Sequence, residues 1–272
     1  MLHRLEASAQ RHESACGTGR MVWRVWNAGG GTPLLLLHGG SGSWRHWVKQ
    51  IGWLAETRMV IAPDLPGLGE SDDPPDPQEP ATIADVLLAG LQGQSLCDVA
   101  GFSFGASVAG HVAARLAPGL RSVTLLGAGA LGTPRAPVTL EKVRDKQGEA
   151  RVAAHRRNLA ALMFADAENI DAMALDIQEA NSTGARLKTR RFAPGGTLRD
   201  ALLQTDGVQV NAIWGDRDAV AMQDLPIRIA ALQGARPDAR VAVIPGAGHW
   251  VAYEAAPQVD ALLRDWLPII PP

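Results

Sequence analysis

The sequence predicts an α/β fold, a mostly parallel central sheet flanked by helices, and three observations carry that expectation. Short β-rich runs alternate with stretches of helical spacing through the first half of the chain. One such run, "PLLLLHGG" at 33–40, is apolar without a break, as a central strand buried on both faces should be. Further on, "GFSFGA" sets Ser103 between Gly101 and Gly105, where an apolar strand meets a helix rich in alanine and glycine. A serine on an ordinary strand or helix needs no such neighbours. One held on a sharp, strained strand-to-helix turn does, because side chains beside it would collide with the turn.

The elements follow in order. "MVWRVWN" (21–27) reads as a strand and "GGGT" as the turn after it. After the 33–40 strand, "WRHWVKQIGWLAE" (44–56) has helical spacing, and "RMVIAPDLPG" (58–67) is a strand entering a Pro/Gly turn. A helix over 81–94, the strand "LCDVAGF", the helix after Ser103 and a strand within 120–129 come next. Near Thr133 the character changes. From there to about Asp206 the chain is helical and charged with no convincing strand, and two strands follow, in 208–216 and 240–248, split by a helix. A helical insert between two halves of a sheet reads as a lid over the sheet's carboxyl edge. The expected division is a core of 1–133 and 207–272 with a helical cap of 134–206.

Composition excludes several function classes. Across 272 residues the net charge is −2, charged residues make up 20% and no long run of one sign occurs, which argues against nucleic acid or an acidic membrane surface as partner. No apolar run approaches the ~20 residues of a membrane span, and the polar N-terminus has no signal-peptide core, so a cytoplasmic location is the default. Cys16 and Cys97 are too few for a disulfide framework, and Cys97 reads as a buried spacer. The seven histidines show no metal-binding spacing, so no metal is expected. "GAGALG" (127–132) fits a dinucleotide fingerprint, but "TPRAP" follows where a helix should open, so no cofactor is expected either. The expected partner is a small-molecule substrate. The oligomeric state stays open, with a homodimer among the options.

A serine hydroxyl needs a base, and "PGAGHWVAYEAAPQV" places His249 in a glycine-rich turn just after a strand. An imidazole in turn needs a carboxylate to fix its tautomer, and "NAIWGDRDAV" offers Asp216 and Asp218, again at a strand end. An oxyanion needs two backbone N–H donors. Phe104, directly after the serine, should supply one and Gly40 the other, with His38 shaping the loop. Trp44, Trp47 and Trp53 read as core, although Trp44 is close enough to that loop to line a pocket. In "GARLKTRRF" the basic residues are a solvated face on the plain reading. On the sharper one Arg186 or Arg190, sharing a helical face, clamps a substrate carboxylate, with Arg190 favoured.

These segments resemble the α/β-hydrolases. "LLLLHGGSGSWRHW" is similar to the family's oxyanion loop, "DLPGLGES" to its turn after the fourth strand and "GFSFGA" to its nucleophile elbow. "WGDRDAV" is similar to its acid loop and the segment around His249 to its histidine loop, all in the family's order. The resemblance implies the α/β-hydrolase fold with a helical cap inserted after the sixth strand. It also implies a triad of Ser103, Asp218 and His249, since the family's acid usually stands at the Asp218 position rather than that of Asp216. Pro66, where many members carry Arg, and the bulky Phe104 depart from the family pattern. The function expected is hydrolysis through an acyl-enzyme, on a carboxylic ester of small to medium size. Trp250, a candidate substrate-binding residue, and the basic lid also resemble the meta-cleavage-product hydrolases, which cut a C–C bond, and a non-catalytic binding role is the third class.

Overall fold

A computed structural model describes residues 1–91, 93–134, 137–221 and 224–269. Eight strands form one sheet: β1 (Gln10–Cys16), β2 (Gly19–Trp26), β3 (Leu34–Leu37), β4 (Val60–Pro63), β5 (Asp98–Phe102), β6 (Ser122–Leu126), β7 (Gln209–Gly215) and β8 (Arg240–Ile244). Their order across the sheet is β1-β2-β4-β3-β5-β6-β7-β8. Only β2 runs against its neighbours; every pairing from β4 to β8 is parallel. The ten helices of the described residues are α1 (Leu2–Ala7), α2 (Val48–Leu54), α3 (Pro80–Gly90), α4 (Phe104–Leu116), α5 (Gly148–Leu162), α6 (Ala172–Gly184), α7 (Thr197–Leu202), α8 (Leu225–Ala235), α9 (Val251–Glu254) and α10 (Ala256–Trp266). None is long and apolar enough to cross a membrane.

The four leucines of β3 show how the sheet sorts its side chains. All are fully buried. Leu35 and Leu37 pack with residues of α3, α4 and α8 on one face, and Leu34 and Leu36 with α2, α9 and α10 on the other. Alternation at period two on a doubly covered strand explains the unbroken apolar run. The polar N-terminus, for which the sequence predicts no element, is structured. It forms α1 and β1, and β1 is exposed along most of its length at the edge of the sheet, so no apolar pattern marks it. Cys97 is half-buried and lies just before β5, not within it.

Between β6 and β7 the described chain contains no strand, and its helices begin only at Gly148, so the helical character expected from near Thr133 starts later than the sequence suggests. Helices α5 and α6 pack on each other, and Leu159, Ala174 and Ile177 from them join the apolar cluster on the α2 and α10 face. Helix α7 packs instead on α4. The helix expected through Arg186 and Arg190 does not form. Helix α6 ends at Gly184, because the next peptide groups turn to the core: the N–H groups of Arg186 and Leu187 donate to Gly67 O at 2.9 and 3.0 Å. Residues 189–192 then make a separate 3-10 turn, so Arg186 and Arg190 share no helical face.

Candidate active site

Ser103 ends the run of β5 and starts α4, with φ 52° and ψ −112°. That backbone region costs a residue with a side chain about 1–3 kcal/mol and persists only where its surroundings impose it. They do so here. Ser103 N–H donates to Leu126 O on β6 at 2.8 Å. A Cβ on Gly101 would stand 2.2 Å from Gly105 O, and one on Gly105 2.4 Å from both Leu37 O and His38 O. The elbow's backbone therefore lies directly against its own first turn and the end of β3. Both glycines are required by space.

His249 sits in the loop after β8. Its Nδ1 is 2.8 Å from Asp218 Oδ2 and its Nε2 is 2.9 Å from Ser103 Oγ. Asp218 is buried in the turn after β7, and its other oxygen accepts the N–H groups of Val220 and Ala221 at 2.8 and 3.3 Å. With Oδ1 occupied, Oδ2 is left to take the Nδ1 proton, which turns the Nε2 lone pair towards the serine hydroxyl. Asp216 is exposed and accepts Gly246 N–H at 2.7 Å, closing the turn and touching no imidazole. The buried guanidinium of Arg228 donates to Val220 O at 2.8 Å and to Ala128 O at 3.2 Å, pinning the Asp218 turn to the loop after β6.

Gly40 follows β3 and Phe104 opens α4. Among the described residues neither N–H has a hydrogen-bond partner. Gly39 is held from both sides by imidazoles. His38 Nδ1 donates to Gly39 O at 2.8 Å while its Nε2 accepts Leu65 N–H at 2.8 Å. His46 Nδ1 accepts Gly39 N–H at 3.2 Å. Burial holds both rings below the usual histidine range, and so neutral.

Ser103 and His249 line a cavity of about 580 Å³ between the sheet's carboxyl edge and the helical insert. Phe104 stacks on Phe192 of the insert, with ring centroids 5.8 Å apart. Thr189 closes over the Gly40 loop: a Cβ on Gly40 would meet Thr189 Oγ1 at 2.2 Å. Arg144, Arg186, Lys188 and Arg190 also line the space, against one acid, Glu141. Glu141 is already bonded to Arg157 at 2.6 Å and Lys146 at 3.4 Å. The cavity is therefore electropositive on its insert side.

A family model described as the alpha/beta hydrolase family matches residues 34–261. The chain belongs to that family. Among relatives of this hydrolase is the dihydrolipoyllysine-residue acetyltransferase component of the acetoin cleaving system of Pseudomonas putida, 30% identical over 92% of this chain and 67% of that one. Another is the 2-hydroxymuconate semialdehyde hydrolase of Pseudomonas sp. strain CF600, 25% identical over 89% of this chain and 88% of that one. In fold it is similar to the esterase RhEst1 of Rhodococcus sp. ECU1013, with a TM-score of 0.73 at 22% identity, over 95% of this chain and 96% of that one.

The hydrolase thus brings Ser103, Asp218, His249, Gly40 and Phe104 to one edge of the sheet, but not every residue expected at the pocket. Trp44 is fully buried away from the cavity, against Trp26 and with the guanidinium groups of Arg24 and Arg45 at 5.3 and 5.2 Å from its ring. Trp250 is also buried: its Nε1 donates to His46 O at 3.0 Å and its ring lies against Tyr253. Neither lines the cavity, because both loops turn these rings into the core while the neighbouring backbone faces the site. Arg186 and Arg190 do line it, unequally. Arg186 is committed to Asp73 at 3.0 Å and to Ser71 O. The guanidinium of Arg190 has no hydrogen-bond or ion-pair partner among the described residues. Arg144, Thr189 and His46 escaped the sequence reading. Only a turn signal, Gly42 and Ser43 before the tryptophans, hinted that His46 doubles back under Gly39.

Proposed function

We propose that this hydrolase cleaves a carboxylic ester of small to medium size through an acyl-enzyme on Ser103. The observation that carries the reading is the unbroken chain of hydrogen bonds from Ser103 through His249 to Asp218 at the floor of a cavity. In the mechanism His249 Nε2 takes the hydroxyl proton as Oγ attacks the carbonyl carbon, and Asp218 stabilises the imidazolium. The N–H groups of Gly40 and Phe104 receive the oxygen that becomes negative, each worth about 3–4 kcal/mol of barrier by analogy with the loss of a single donor. The C–O bond to the alcohol then breaks, His249 protonates the departing alcohol, and a water activated by the same imidazole releases the acid. Residues 134–206 act as a cap over the core of 1–133 and 207–272. The basic side of the cavity favours a substrate carrying a carboxylate, with Arg190 as its partner.

The similarity to the 2-hydroxymuconate semialdehyde hydrolase favours a second reading, C–C cleavage of a meta-cleavage-type diketone acid on the same serine. A single panel separates the readings: short and long aryl esters, with and without a carboxylate, beside a ring-fission diketone acid. Turnover of esters at least tenfold above the diketone acid in kcat/KM supports the first, and the reverse ratio the second. A phosphonate adduct should map to 101–105 and disappear in Ser103→Ala together with turnover. No turnover of any activated ester and no label would leave only a binding role.

A further inference from the structure

Asn181 lies on the insert helix α6, one turn beyond Ile177 on its buried face, and is almost fully buried. Its carboxamide bridges two groups of the Gly40 loop. One terminal atom is 3.2 Å from His46 Nε2 and the other 2.6 Å from Ser43 Oγ. The orientation of that amide follows from the backbone. Gly39 N–H points at His46 Nδ1, and a backbone N–H cannot be turned away, so Nδ1 carries the lone pair and the neutral ring carries its proton on Nε2. The amide, whose oxygen and nitrogen are told apart only by their partners, must then face Nε2–H with its oxygen and Ser43 Oγ with its nitrogen.

We infer that Asn181 is a positioning residue for the oxyanion hole, acting through the tautomer of His46. The inference rests on the reading of Gly40 N–H as an oxyanion donor. Glycine has no side chain to restrict its dihedrals, so Gly39 is fixed only by what holds the peptide group on each side of it. His46 holds the one before, through Gly39 N–H, and His38 the one after, through Gly39 O. In a trans peptide the C=O and the following N–H point in opposite directions. Pinning Gly39 O to His38 therefore aims Gly40 N–H the other way. Without Asn181, Nε2–H has no acceptor, and Gly39 N–H alone opposes the move of the proton to Nδ1. A ring that moves it to Nδ1 sets two N–H groups against each other and releases Gly39. His46 is otherwise enclosed by the rings of His38, Phe102 and Trp250, which offer it no competing acceptor.

The test uses an aryl trifluoromethyl ketone. Ser103 Oγ adds to its carbonyl carbon, the hydroxyl proton passes to His249 Nε2, and the carbonyl oxygen becomes the anion in the hole. Asn181→Leu, close in size and without hydrogen bonds, should lower kcat roughly 10- to 100-fold with KM within about twofold of wild type. Affinity for the ketone should fall by a similar factor, and affinity for the corresponding alcohol should hold. In the wild-type enzyme, nitrogen-15 chemical shifts should show His46 as the Nε2–H tautomer, a measurement that needs no variant to fold. A wild-type Nδ1–H tautomer, or a folded Asn181→Leu enzyme with undiminished kcat and ketone affinity, overturns the inference. A wild-type enzyme that binds the ketone no better than the alcohol removes the oxyanion reading, and this inference with it.

Discussion

Asp216 and Asp218 stand two residues apart, and the structure gives them separate work. Asp218 touches the imidazole, so Asp218→Asn should leave the fold in place and put the imidazole in the wrong tautomer. By analogy with the serine-protease triad, kcat should fall by up to about 10⁴-fold. Asp216→Asn loses one acceptor for Gly246 N–H at the surface, and its kcat should stay within about threefold, with at most ~1 kcal/mol of stability lost. Steady-state kinetics on one activated ester, with thermal unfolding of both variants, checks the pair. Equal losses would mean that the acid has been misassigned. Ser103, His249 and the two aspartates were legible in the sequence because each lies in a short pattern whose cause is local. Gly101 and Gly105 are demanded by atoms within a few residues of the serine or on the adjoining strand. The His46–Asn181 contact was not legible, since it joins positions 135 residues apart and neither carries a local signature.

At the scale of elements, α1, β1, α9 and α10 were not assigned, whereas the core's strands and helices between β2 and β8 were readable because burial on one or two faces writes a period into the chain, as β3 shows. The insert writes none. Helix α6 stops where Gly67 O draws the next two N–H groups away, a contact no periodicity announces. That is why Arg186 and Arg190, expected on one helical face, part company. Their separation predicts unequal variants. Arg190→Ala should raise KM for a carboxylate-bearing ester roughly 10-fold or more, the scale of a lost charge-assisted hydrogen bond, and spare its neutral analogue. Arg186→Ala should leave the ratio of the two substrates unchanged, because its guanidinium is held by Asp73 and Ser71 O. An acidic-to-neutral preference that both variants retain would make the basic rim a solvated face only.

For the molecule as a whole, buried neutral histidines set a direction for its acid stability. Burial lowers His38 and His46, and burial with Arg115 nearby pushes His111 down to about 4. Their folded pKa values lie below the unfolded value near 6.5. The unfolded chain therefore binds protons first, and stability, complete above that value, is lost as pH falls. Each group contributes up to ~1.4 kcal/mol per pH unit in that window. Melting temperature should decline from pH 6.5 towards pH 4, and His111→Gln should flatten the decline. A flat profile in the wild type would refute it. The insert is also bound to the rest of the molecule by a carboxylate. Glu254 accepts Ala165 N–H and Asp166 N–H from the segment after α5, at 2.9 and 3.0 Å, and Gly248 N–H beside His249 at 2.7 Å. An engineer hoping to retarget this hydrolase by transplanting a foreign insert would thus be cutting a joint that the histidine loop shares. Grafts that start after Asp166, keep Glu254 and carry asparagine at the position of Asn181 should retain turnover on small activated esters, whereas grafts that replace 163–166 would exchange specificity and speed together.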